Sequence, residues 1–363
     1  MTSFAPSRLL LARQRRRMTA REFADKLGIV PLTVSRLEAG KSTGPSEETL
    51  QKIIEVTGFP RAFFFAEDLD PGTCETVSFR SLAAMKARER DAALAAIPLA
   101  CLLDDWLTAR FNIPTPDLVD LSDVQDPDRA AITLRRHWGL GEQPIASMVR
   151  LLESKGVRTF SLAEDTMNVD AFSCWRGDVP FVFLNTMKTA ERGRFDSAHE
   201  LGHLVLHRHK GTADDPAAED QANKFASAFL LPHTGVSAHV GRVSSIDPLI
   251  PVKKHWGVSL AALVYRLHKL GRLSDWQNRM LCVQMSRRGY RSSEPDGLPR
   301  EESSVWKAVL ESLWKEGITK GHIAKELNLP LIEVENLISG LVAPTHEKSP
   351  PSIGTKQGLR LVP

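Results

Sequence analysis

The stretch FDSAHELGHLVLH, residues 195–207, decides the reading of this chain. Phe195, Ala198, Leu201, Leu204 and Val205 recur at helical spacing, so the segment predicts a helix with one packed face. Residues four apart on a helix lie about 40° apart around its axis. His199 and His203 therefore present two imidazoles to one point, which is the spacing that holds a zinc ion. Glu200, one position on from His199, is placed to serve as general base for water activated at such an ion.

A zinc site that works on substrate needs a third protein ligand. His209 follows His203 by six residues, but that arrangement wants Gly where Leu206 stands. His207 lies one helical turn further along, and Asp214 and Asp215 fall in a loop before Pro216. Glu219 opens a second helix, 217–230, on a face shared with Ala222, Asn223 and Ala226. Small residues there let two helices approach closely, and a Glu from a following helix completes a His₂Glu set. Glu219 is the preferred third ligand.

The N-terminal 66 residues carry eleven Lys/Arg against six Asp/Glu, while the rest of the chain is slightly acidic. Six arginines and no acid fall between Arg8 and Arg21. Such a local excess points to nucleic acid or to a solvated basic face. Helix signals are dense here. Thr19 with Glu22 forms a capping box, the helix from Ala20 to Leu27 buries Phe23, Ala24 and Leu27, and Gly28 ends it. Pro31 opens a third helix to Glu38 that buries Val34 and Leu37. A further helix covers 49–56. Two short helices joined by a Gly-containing turn form a helix-turn-helix, whose second helix enters the major groove. Leu32, Thr33 and Arg36 then face the bases, and Ser35, Lys41 and Arg13 face phosphates.

At 363 residues the chain has room for two or three domains. The fold expected is α+β and mainly α: an all-helical module at 1–66, a helical connector at 67–127, a zincin-like domain with a small sheet at 128–290, a helical module at 291–342 and a disordered tail at 343–363. Strands are expected at Val157–Leu162 and Pro180–Leu184, and a Pro/Gly/Ser-rich linker runs from Ser292 to about Pro299. No internal repeat of useful length stands out. Residues 317–337 have a second helix-turn-helix rhythm, but their last helix offers Glu333 and Glu335 and no cation, so they read as a packing or partner module. Phe63, Phe64 and Phe65 are expected to dock the DNA module on the rest. Cys174 reads as a core thiol and His233 as a loop histidine. No run of 18 apolar residues suggests a membrane span, and four scattered cysteines fit a reducing cytoplasm.

Two resemblances add to this. LGIVPLTVSRLEAGKSTGPSEETLQKI, residues 27–53, resembles the Xre/Cro-type helix-turn-helix throughout. VDAFSCWRGDVPFVFLNTMKTAERGRFDSAHELGHLVLH from Val169, followed by EDQANKFASAFLLP ending at Pro232, resembles the ImmA/IrrE metallopeptidase family, as does HWGVSLAALVYRLHKLG at 255–271. The second resemblance implies zinc held by His199, His203 and Glu219, with Glu200 as general base. Many relatives have an acid before the Ala-Asn pair where this chain has Gln221. The fusion implies a regulator that binds operator DNA as a homodimer and cleaves a repressor or antitoxin-like protein, or its own linker. The other reading is a transcription factor whose peptidase-like domain only senses.

Overall fold

The computed structural model describes residues 3–69, 86–162, 171–208 and 215–343. The fold is α+β and mainly helical. Helices α1 (Pro6–Arg15), α2 (Ala20–Leu27), α3 (Pro31–Glu38) and α4 (Glu47–Thr57) form the N-terminal unit, closed by a short 3₁₀ turn at Arg61–Phe65. Local chemistry sets its boundaries. Thr19 Oγ1 accepts from the Glu22 amide while Glu22 returns the bond to the Thr19 amide, completing the capping box. Gly28 sits at φ 70°, a left-handed conformation that glycine adopts without steric cost, and it turns the chain from α2 into α3. Phe23, Ala24, Leu27, Val34 and Leu37 fill the centre. Phe63 and Phe64 pack within this unit against Phe4, Phe59 and the Arg8 guanidinium.

Helices α5 (Ala87–Leu94) and α6 (Ala96–Thr108) follow, then α7 (Pro127–His137) and α8 (Met148–Ser154). Residues 70–85 of the expected helical connector lie outside the described residues. A three-stranded sheet holds β1 (Arg158–Ser161), β2 (Phe172–Arg176) and β3 (Val179–Leu184) in the order β1-β3-β2. β1 runs parallel to β3, and β2 pairs antiparallel to it through the two-residue loop Gly177-Asp178. The sequence reading found β1 and β3 but not β2.

Side chains alternate across a strand, so the sheet has two buried faces. Phe160, Phe172, Cys174, Phe181 and Phe183 join one core with the N-terminal unit and the C-terminal helices. Trp175, Val182 and Leu184 join a second core with α7, α8 and the helices after the sheet. Those helices are α9 (Ala190–Leu206), α10 (Pro216–Leu230), α11 (His233–Ala238), α12 (Leu249–Trp256), α13 (Leu260–Lys269) and α14 (Asp275–Arg287). Among the described residues no helix is long and apolar enough to cross a membrane.

The stretch read as a linker is tied down by carboxylates. Glu294 accepts from the Leu260 amide and pairs with the buried Lys253 ammonium at 3.2 Å. Glu191 takes both that ammonium and the Leu298 amide. Glu301 accepts from the Met148 and Val149 amides and from Arg194. The chain then enters α15 (Ser304–Lys315), α16 (Lys320–Glu326) and α17 (Leu331–Ile338).

These last helices reveal a repeat that the sequence reading passed over. TAREFADKLGIVPLTVSRLEAG at 19–40 aligns without a gap to TKGHIAKELNLPLIEVENLISG at 319–340. Thr319 starts its helix as Thr19 does, Asn328 takes the left-handed turn of Gly28, and Gly340 that of Gly40. Ile323, Ala324, Val334 and Leu337 are buried where Phe23, Ala24, Val34 and Leu37 are. Glu333, which aligns with Thr33, is not offered to solvent. It is 1% exposed and takes Arg15 Nε at 2.9 Å and Arg16 at 2.6 Å, both from the end of α1.

Candidate metal centre and nucleic-acid interface

Thr189 caps α9, and Asp215 accepts from the Ala217 amide to start α10 with Pro216 in its first turn. The two helices cross closely at Gly202. A Cβ there would stand 3.0 Å from the Phe225 ring and 3.3 Å from Ala222 Cα, tighter than ordinary contact, so glycine favours this approach. The crossing brings Glu219 to the two histidines. Its carboxylate oxygens lie 3.4 Å from His199 Nε2 and 3.3 Å from His203 Nε2, and the two Nε2 atoms are 3.1 Å apart.

Ligand atoms bound tetrahedrally to one zinc ion at about 2.0–2.1 Å stand about 3.3 Å from each other. Each Nε2 stands near that separation from the other Nε2 and from one of the two Glu219 oxygens, and the three residues form a His-His-Glu group whose chemistry suits a zinc ion. Of the rival third ligands, Asp215 is engaged in capping α10. His209 and Asp214 lie outside the described residues. His207 is buried one turn beyond His203, its Nδ1 3.1 Å from His203 Nδ1. Its Nε2 is 2.9 Å from Gln221 Oε1. His199 Nδ1 is 3.1 Å from Asn223 Oδ1.

Glu200 does not join the three. It is buried, and Ser173 Oγ donates to its Oε2 at 2.7 Å. Ser173 reaches it because strand alternation puts Ser173 on the α9 side of β2, between Phe172 and Cys174, which face away. The serine is a site residue that the sequence reading missed, since β2 itself was not expected. Burial pushes the Glu200 carboxyl up to about 7, against the pull of His199 and the Ser173 hydrogen bond. Burial also takes His203 down to about 4. Burial alone would raise Glu219, but its bonds to His199 and His203 hold it well below the usual carboxylate range. The same bond and the nearby carboxylates raise His199 despite its burial.

In the N-terminal unit, α3 keeps one open face. Leu32 is 59% exposed and Val30, at its start, 62%. Thr33, Ser35, Arg36 and Lys41 are exposed on or just after the helix. Arg13 departs from expectation. Its guanidinium grips both Glu38 oxygens, at 2.6 and 2.9 Å, and donates to the Met18 carbonyl, so it braces α1 against α3 instead of facing phosphate. Other arginines of that run are also engaged within the chain. Arg8 donates to the Glu67 carbonyl, and Arg16 to the Thr57 carbonyl as well as to Glu333.

Comparison with known families agrees with this geometry. Residues 152–268 match the IrrE N-terminal-like domain, and residues 9–64 match a helix-turn-helix family. No curated protein matches the chain. The chain thus carries a helix-turn-helix region at 9–64 ahead of a region at 152–268 that matches the IrrE N-terminal-like domain.

Proposed function

We propose that this protein is a transcriptional regulator whose α3 reads an operator as part of a homodimer. Its central domain is a zinc-dependent endopeptidase acting on a repressor or antitoxin-like protein. The observation that carries the peptidase reading is the pairing of a three-ligand group with a separate buried carboxylate. A structural metal site has no use for Glu200, held apart from the ligands by Ser173. His199, His203 and Glu219 would hold the ion, which supplies Lewis acidity toward water and a peptide carbonyl. Glu200 takes the proton of the attacking water on its carboxylate and returns it to the leaving amine. Ser173 holds the Glu200 carboxylate in place throughout.

The DNA reading rests on the open α3 face. Arg36 there suits bidentate contact with guanine, Leu32 and Thr33 suit a thymine methyl, and Ser35 and Lys41 suit phosphate. Substituting Glu200→Gln in the zinc-loaded protein tests the whole. Zinc and operator binding stay, while cleavage of proteins encoded by neighbouring genes falls by about 10²-fold or more. Normal gene control by this variant, with zinc present, would instead make the domain a sensor.

A further inference from the structure

The ring of His203 is engaged at both nitrogens. Nε2 faces Glu219 and His199, while Nδ1 meets His207, whose own Nε2 meets Gln221. A neutral imidazole carries one N–H and one bare nitrogen. To ligate a metal through Nε2, His203 must carry its hydrogen on Nδ1 and donate it to His207 Nδ1. His207 then carries its hydrogen on Nε2 and donates it to Gln221 Oε1. In this arrangement the Gln221 oxygen is the acceptor at the end of the relay.

A glutamine amide, however, has two ends. Turned over, it offers its NH₂ to His207 Nε2. His207 must then carry its hydrogen on Nδ1 and give it to His203 Nδ1. That leaves the His203 hydrogen on Nε2, donated to Glu219, where it blocks ligation. We propose that His207 and Gln221 are positioning residues that set the tautomer of His203, and that the Gln221 amide is a two-way terminus selecting between a ligand and a donor. This rests on His199, His203 and Glu219 being a metal site. A carboxylate at 221 has no donor end and permits only the ligating tautomer.

The test is zinc affinity of the full chain, measured by competition with a chelator, for the wild type and for Gln221→Glu and Gln221→Met. Outer partners of metal-bound histidines change affinity by about 10- to 100-fold. Gln221→Glu should bind at the tighter end and Gln221→Met at the weaker. The tautomer of His203, read by nitrogen-15 NMR of the zinc-free protein, should be Nδ1–H alone in Gln221→Glu and mixed in the wild type and in Gln221→Met. Equal affinities with equal folding by circular dichroism overturn the relay and leave the metal site standing, as does weaker binding by Gln221→Glu. Absence of zinc binding in all three overturns both. Because no substrate is used, neither result depends on cleavage.

Discussion

The two histidine ligands and the general base are each backed by a neighbour. Asn223 stands behind His199, His207 behind His203 and Ser173 behind Glu200. Replacing Glu219 with Ala should abolish stoichiometric zinc, read by metal analysis after dialysis. Retained zinc would hand the third position to His209 or Asp214. Replacing Ser173 with Ala should keep zinc yet slow cleavage by about 10- to 100-fold, the scale of losing an outer partner. Steady-state rates normalised to zinc content check this. The two histidines were legible in the sequence because their spacing on one helix is local, whereas Glu219, on the next helix, had to be chosen among rivals. Ser173 was not, because its role depends on which face of β2 it occupies.

The pairing of α9 with α10 makes the centre, and Gly202 is its hinge point. Gly202→Ala would gain up to about 1 kcal/mol of helix propensity. The new methyl would press on the Ala222 backbone and on a ring stacked on Phe229. Overpacking of this kind costs about 1–3 kcal/mol, so a net loss is expected. A lower denaturation midpoint together with weaker zinc binding would show both effects. Elements with strong end signals were read almost to the residue: α2 and α3 follow from Thr19, Gly28 and Pro31. β2 was hidden because Ser173 and Arg176 interrupt its apolar residues, and pairing with β3 supplies what its own sequence lacks. The strap at 291–302 looked like a linker because its ties are single glutamates reaching distant amides.

At the scale of the molecule, the two aligned helix-turn-helix units have taken opposite roles. The N-terminal one keeps an open face on α3. The C-terminal one turns the matching position, Glu333, onto α1, 318 residues away from its partner Arg15. No local pattern could foretell a contact at that separation; the acidic residue was visible and its partner was not. Removing one side of a buried ion pair costs about 3–5 kcal/mol. Glu333→Gln should therefore loosen the hold of the C-terminal helices on α1, seen as faster amide exchange in both. It also changes how DNA binding should respond to salt. Counterions leave DNA only for cations that reach phosphate, with a slope of about 0.9 per contact. Arg8, Arg13, Arg15 and Arg16 already answer to groups of their own chain. The arginine-rich helix thus contributes little to ion release, and the slope should be set by exposed cations such as Lys41. Lys41→Ala should lower it by about one, while Arg13→Ala leaves it unchanged and costs stability alone. The basic composition of this segment is a record of internal bracing more than a measure of its grip on DNA.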